Sequence, residues 1–325
     1  MLKGAILGFD PASAEFCAPA LLDAKDIFEV RAAACLAPGE AESASVLPGA
    51  RLHPDLDSLF SAETGLDFAL IAAAPEQRAR CARRALEHGL HALCLAPFCF
   101  STTEFDEIRQ AAERNGREVF SLQPWEHSNS WRALSEIIGQ QMPGELTRAE
   151  VRLASPGTAR RSAGGATMQL GWQAFSILLG LLRRPPLAMA ARLGLDAAYS
   201  PDRPEDEASF QLHFGGATGI VHLSRAAHAA RFGVSLTGSL GIVDLRGNRL
   251  SLDIAGHTPE TVVLDDDLAE GLVRPEWLLA EFRNFKKEIE NPGQPRAGLK
   301  NSRYCAKLLR NAGYSASINS SAVPL

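Results

Sequence analysis

Short apolar runs alternate with segments of helical period along the first 125 residues. Gly4–Phe9, Ile27–Leu36, Asp67–Ala72, His91–Leu95 and Glu118–Leu122 read as strands, each too short for a buried helix and bounded by turn residues. Between them, Ala14–Lys25, Pro54–Phe60, Glu76–Glu87 and Thr103–Asn115 carry the 3.6-residue period. Ser101-Thr102 opens the last of these helices and Gly116 closes it, as N-cap and C-cap residues do. Strand–helix alternation predicts parallel pairing through right-handed crossovers, that is, a doubly wound sheet of Rossmann type over residues 1–124.

The pattern changes after Trp125. A helix over Ser128–Gln140 is followed by strand-like segments at Glu145–Leu153, Leu187–Leu195, Ala208–Phe214, Thr218–Ser224, Phe232–Thr237, Gly241–Arg246 and Arg249–Ile254. With Gly215-Gly216 and Gly247-Asn248 at turns, their spacing predicts an antiparallel meander. Gly171–Leu182 is apolar nearly all round and reads as a buried helix. Helices return at Pro275–Glu290 and Leu299–Ala316. Residues 125–325 therefore form an α+β domain on an open, mainly antiparallel sheet, with the last helices packing back on the first domain. Such an open sheet is expected to expose apolar residues that another subunit must cover. Ser155–Gly165, rich in small residues and arginine, marks a loop near a site.

Composition narrows the function classes. The 325 residues are 46% apolar and 22% charged, which fits a soluble globular protein of two domains. Thirty-three Lys+Arg against 38 Asp+Glu give a net charge of −5 with interspersed signs, so no footprint for nucleic acid is present. No apolar run is long enough to span a membrane, and Met1-Leu2-Lys3 leads into a strand, which points to the cytoplasm. The cysteines Cys17, Cys35, Cys81, Cys94, Cys99 and Cys305 contain no Cys-x-x-Cys pair and read as buried free thiols. Eight histidines include no metal-binding spacing, so no metal is expected.

The order of these pieces resembles one family. Leu66–Pro75 looks like the third strand of the Gfo/Idh/MocA oxidoreductases, and Ala85–Pro97 looks like their "ALEAGKHVLCEKP" segment. Ala208–Arg225, Ser235–Gly241 and the terminal Ser315–Leu325 resemble their central strands, their "GTKG" hairpin and their tail. The resemblance runs nearly end to end. It implies a Rossmann domain joined to an α+β domain, with hydride transfer between NAD(P) and a sugar, cyclitol or similar polyol.

The residues that would perform this chemistry differ almost throughout. The cofactor positions implied by the resemblance fall on Gly8, Asp10, Ser13, Leu36, Ala73, Pro75 and Pro97. In the dinucleotide fingerprint only Gly8 is retained, and Asp10 stands where backbone should approach the pyrophosphate. Like charges about 4 Å apart at an effective dielectric of 20 repel by about 4 kcal/mol, about a thousandfold in affinity. Asp10-Pro11 also reads as an N-cap followed by a first-turn proline, and a capping carboxylate would itself occupy the positive helix end. Leu36 aligns with the acid that would hold the adenosine ribose.

The implied catalytic lysine is Ala96, and the histidine helix reads Gln169, Gln173 and Ser176 where acid, histidine and acid are implied. Neither carboxamide nor hydroxyl titrates near neutrality, which removes the agents of general acid–base catalysis. Arg78 stands where the family often has histidine. His127, Arg160, Arg161, Trp172 and Gln173 are candidate ligand contacts, each with a plainer reading as a surface or core residue.

Two readings follow. In the first, the chain is a pseudo-oxidoreductase without nicotinamide that serves as a binding or partner subunit, in a homo-oligomer or in a hetero-oligomer with an active relative. In the second, it is a divergent NAD- or NADP-dependent dehydrogenase acting on a sugar-like substrate, with Gln173 and a bound water replacing the lost groups.

Overall fold

The computed structural model describes residues 1–156, 165–194, 204–291 and 297–325. It divides into two compact units, Met1–His127 with Val273–Arg303, and Ser128–Leu272 with Tyr304–Leu325.

The first unit runs β1 (Leu2–Leu7), α1 (Pro11–Asp23), β2 (Phe28–Ala34), α2 (Glu40–Ser45), β3 (Arg51–His53), α3 (Leu56–Ala62), β4 (Phe68–Ile71), α4 (Pro75–Glu87), β5 (His91–Cys94), α5 (Thr102–Asn115) and β6 (Val119–Ser121). A 3-10 turn over Pro124–His127 follows. The six strands pair in parallel in the order β3-β2-β1-β4-β5-β6. Strand order reverses between β1 and β4, the place where a doubly wound sheet opens a crevice at its carboxyl edge. The Rossmann architecture is the expected one; β3 and α2 are additional, at three and six residues too short to leave a periodic signal.

Sheet and helices meet in an aromatic core. Phe28 and Phe68 lie with ring centroids 4.4 Å apart, and Phe282 comes within 5.1 Å of Phe28. Phe282 and Phe285 belong to α8 (Pro275–Glu290), whose buried Leu278 joins the same cluster. A late segment of the chain thus completes the core of the first unit.

The second unit contains α6 (Asn129–Gly139), β7 (Leu146–Pro156), α7 (Ala166–Leu182), β8 (Pro186–Leu193), β9 (Glu207–Phe214), β10 (Ala217–Ala227), β11 (Arg231–Gly238), β12 (Gly241–Arg246), β13 (Arg249–Ile254) and β14 (Glu260–Val263). After α8, the helix α9 (Ala297–Ser317) and the short β15 (Val323–Pro324) complete the chain. The order in the sheet is β14-β13-β12-β11-β7-β10-β9-β8-β15. It is mainly antiparallel as expected, but not a simple meander: β7 lies between β11 and β10 and pairs with β10 in parallel. Insertion of a strand that precedes its neighbours by 60 or more residues leaves no trace in local spacing, which is why turn signals alone suggested a meander.

One face of this sheet packs against α7. Ala149, Val151 and Leu153 of β7 are buried, as are Phe175 and Trp172 of the helix, and Phe175 meets Phe210 edge to face at 4.9 Å. The opposite face carries charged and polar residues together with the exposed Ile242 of β12, so the apolar surface expected from the sequence is present only in part. Arg148, Glu150 and Arg152 of β7 alternate with that buried set, and His222, Ser224, Ser235 and Asp244 continue the polar face on neighbouring strands. Strict alternation turns every second residue outward, so most of the hydrophobic content of the sheet faces α7. Among the described residues, no helix is long and apolar enough to cross a membrane.

Truncating Phe282 to Ala should lower unfolding free energy by about 3–5 kcal/mol, since the ring fills a fully enclosed site in the first unit. The measurement is the denaturant midpoint; a change of a few tenths of a kcal/mol would show that α8 adds little to this core.

Candidate functional site

The carboxyl edge of the parallel sheet brings most of the implied cofactor positions together. Gly8 has φ +66°, and a Cβ built on it would lie 2.4 Å from the Ala73 Cβ, so the β1 loop and the end of β4 touch where only glycine fits. Gly8 N–H donates to Ala34 O at 3.0 Å, tying the same loop to β2.

Asp10 is the N-cap of α1. Its Oδ2 accepts from the Ser13 backbone N–H at 3.2 Å and from the Ser13 hydroxyl at 3.3 Å, and Pro11 occupies the first helical position. The carboxylate therefore sits at the positive end of the helix, where a phosphate would otherwise bind.

Beneath this loop lies Arg78, buried in α4. Its Nε donates to Ala73 O at 2.8 Å, and its Nη1 to Ala96 O at 3.0 Å and Pro97 O at 3.2 Å. Nη2 reaches the Ser13 hydroxyl at 3.5 Å. One guanidinium thus joins the ends of β4 and β5 to the first turn of α1. Burial pulls Arg78 down to about 10, against the opposing influence of Cys17 and Asp10, so it remains a cation at neutral pH. Sequence flagged Arg78 as a departure from histidine, but nothing in the sequence marked it as the hub of these loops.

Leu36 lies just beyond β2, and its N–H donates to Glu40 Oε2 at 2.6 Å. Glu40, at the start of α2, is only 1% exposed. A carboxylate is therefore present near the place where Leu36 lacks one, but it is committed to a backbone N–H. Pro75 occupies the first turn of α4, and Ala96 and Pro97 follow β5 with Ala96 half-buried.

Farther along the same unit, His127 Nε2 lies 3.0 Å from Glu281 Oε1 and 3.5 Å from Asn284 Nδ2. Adjacent Glu126 is exposed overall. Desolvation and then the Glu281 carboxylate push Glu126 up to about 7, with His127 opposing. This group of ionisable side chains joins the 3-10 turn to α8; the sequence singled out His127 but not Glu126 or Glu281, which are 155 residues apart.

In the second unit, α7 begins five residues earlier than its apolar pattern suggested. Glu205 explains the extension: its Oε1 accepts from Thr167 N–H at 2.8 Å and its backbone oxygen from Ala166 N–H at 2.9 Å. Gln169 and Gln173 lie one turn apart and are half-buried. Gln173 Oε1 is a buried acceptor with no hydrogen-bond partner among the described residues. Ser176 is turned inward and bonds the Cys305 thiol, while Trp172 is 1% exposed. Arg160 and Arg161 lie outside the described residues. Among the described residues, no group of three or more His, Cys, Asp or Glu could hold a metal ion. The thiols of Cys17 and Cys94 are pushed well up by burial, the opposite of what a nucleophile needs.

At the sheet edge the groups implied by the resemblance are replaced by others. The helix terminus is occupied by Asp10, the ribose acceptor position is Leu36, and the nearby Arg78 points its donors at carbonyls.

Comparison with known proteins places this geometry. Residues 2–123 match the Gfo/Idh/MocA model, described as an oxidoreductase family with an NAD-binding Rossmann fold. No curated protein matches the chain by sequence. Among solved structures, levoglucosan dehydrogenase in complex with NADH and levoglucosan is 16% identical with a TM-score of 0.84, covering 99% of each chain. An oxidoreductase from Agrobacterium radiobacter in complex with NAD+, L-tartaric acid and magnesium is 20% identical with a TM-score of 0.83, covering 99% of this chain and 98% of its own. An inositol dehydrogenase homolog from Azotobacter vinelandii, complexed with NADH and myo-inositol, is 18% identical with a TM-score of 0.83, covering 100% of this chain and 97% of its own. These likenesses show a shared fold.

Two outcomes follow from the geometry. Arg78→Met should cost about 2–4 kcal/mol, because several carbonyls lose a buried charged donor, and Arg78→Lys should recover part of that loss; denaturant unfolding checks both. Glu126 is raised in the folded state, so its contribution to stability is present below its unfolded value near 4.5 and is lost as pH climbs through about 7. A melting-temperature profile from pH 4 to 8 should therefore flatten over that window in Glu126→Gln; an unchanged profile would mean Glu126 titrates normally.

Proposed function

We propose, starting from the membership of residues 2–123 in the Gfo/Idh/MocA oxidoreductase family with its NAD-binding Rossmann fold, that this chain has given up nicotinamide chemistry and acts as a binding or partner subunit. The observation that carries the proposal is the Asp10 carboxylate capping α1 at Ser13. A diphosphate entering there would meet a fixed negative charge in place of helix N–H groups. The Arg78 cation nearby does not offset this repulsion for a ligand, because its donors are spent on Ala73, Ala96 and Pro97.

The catalytic positions support the same reading. Ala96 has no transferable proton, and Gln169 and Gln173 offer carboxamides that hydrogen-bond without titrating. Such a pair suits a small polar ligand, sugar-like in its hydroxyl groups, and the buried Gln173 Oε1 would accept from it. The subunit would work in an oligomer with itself or with an active relative.

A second reading keeps NAD or NADP and a sugar-like substrate. It draws on the family's NAD-binding fold and on the NADH complexes of structural neighbours. Its weakness is the absence of a proton donor at the implied lysine and histidine positions.

Calorimetric titration with NADH and NADPH separates the two. Wild type should show no heat up to about 1 mM, corresponding to less than about 4 kcal/mol of binding, whereas Asp10→Gly/Ser13→Gly should gain measurable affinity. Micromolar binding by wild type would overturn the proposal in favour of the dehydrogenase.

A further inference from the structure

The polar face of the nine-stranded sheet holds a hollow of about 850 Å³, formed entirely within the second unit. Gly233 of β11 lies in its floor. Across the ladder, Gly233 pairs with Arg246 of β12 on one side and with Arg152 of β7 on the other. Residues opposite one another in register share a face, so both side chains rise from the same surface with the glycine gap between them. The two backbones are two strand spacings apart, about 10 Å, and both side chains are long enough to converge over the gap. Arg231, two residues before Gly233 on the same strand, lines the hollow as well.

The charge arrangement is unusual for a surface sheet. Arg246 is directly opposite Arg249 of β13, a like-charged cross-strand pair. The side chains of Arg231, Arg246 and Arg249 form no ion pair or hydrogen bond among the described residues. Arg152 is engaged with Glu150, as are Arg148 at 3.1 Å and His222 at 3.5 Å. Desolvation raises Glu150, but the bonds from Arg152 and Arg148 outweigh it and hold its carboxyl below the ordinary value. Glu150 is thus already shared among three bases. Asp244, one pleat along from Arg246, makes no ion pair with any of these arginines. Arg231 and Arg246 therefore line the gap with no ion pair of their own among the described residues, while Glu207 and Asp244 also stand on its wall.

We propose that this hollow is a binding site for an oxyanion, a phosphate or carboxylate group of a small molecule, held between Arg246 and Arg152 over Gly233 with Arg231 closing one side. Guanidinium groups present paired donors that match either oxyanion, and the serine hydroxyl of Ser235 lies along the same wall. Its lining includes no residue of the first unit and none of α7, so it stands or falls independently of the function proposed above.

The test is calorimetric titration of the full chain with inorganic phosphate, pyrophosphate and citrate at constant ionic strength. Wild type should bind at least one of these, and the phosphate and citrate arms distinguish the two oxyanion sources. Two variants remove the site by different means. Arg231→Gln/Arg246→Gln deletes charge. Gly233→Leu fills the gap, where an added Cβ meets nothing closer than 3.8 Å and so fits without strain. Each should weaken binding about tenfold or more, while Arg80→Gln, on the exposed side of α4, should leave it unchanged. Equal binding by all four proteins would reduce the hollow to diffuse surface charge and overturn the proposal. So would the absence of binding by wild type, including the case in which sedimentation shows the face closed between two copies and opened by the arginine variants.

Discussion

A guanidinium placed inside a protein must find an acceptor for most of its donors, because burial penalises the charge and leaves no water to satisfy it. Arg78 meets this demand by gathering backbone carbonyls from Ala73, Ala96 and Pro97 and touching the Ser13 hydroxyl. The loops that follow β4 and β5 and the first turn of α1 are therefore positioned by one side chain. Since these loops line the carboxyl edge of a doubly wound sheet, the shape of the edge depends on a contact that the sequence presents as a single unremarkable arginine in an arginine-rich helix.

That contact also determines how Asp10 behaves. Were Arg78 able to swing outward, its charge could neutralise Asp10 and admit an anion. Breaking its hydrogen bonds to buried carbonyls would cost about 1–3 kcal/mol for each acceptor left unsatisfied, more than a screened attraction to an entering phosphate returns. Asp10 in turn satisfies α1, a cap worth about 1 kcal/mol. Each group is held by a local structural task, and both tasks fall at the carboxyl edge of the parallel sheet.

The outline of both units was legible because periodicity is a local property. Alternating apolar runs and helical segments gave the parallel sheet, and turn glycines gave the antiparallel one. What escaped was non-local. β7 enters between β10 and β11 from far upstream, and Glu205 extends α7 from 38 residues downstream; neither leaves a mark on nearby sequence. The apolar residues of α8 complete a core whose other members lie in the first 122 residues. At the site, missing groups were legible residue by residue, since Asp10, Leu36, Ala96 and Gln173 can be read without coordinates. The replacements were not: Glu40 acquires its partner only through the turn that folds α2 back onto Leu36.

The polar groups near these positions follow one rule. Asp10 is consumed by α1, Glu40 by the Leu36 N–H, Glu205 by the first turn of α7 and Ser176 by Cys305. An acid that accepts from backbone donors has its ionised form favoured and its orientation fixed, which suits a scaffold and disqualifies it as a proton shuttle. Gln173 departs from the rule, with a buried acceptor that nothing among the described residues satisfies. An unsatisfied buried acceptor costs about 1–3 kcal/mol, a penalty that a core glutamine could avoid by becoming leucine. Retaining the carboxamide makes physical sense if a donor from outside the chain completes it, which makes recognition through this acceptor the chemistry its position favours.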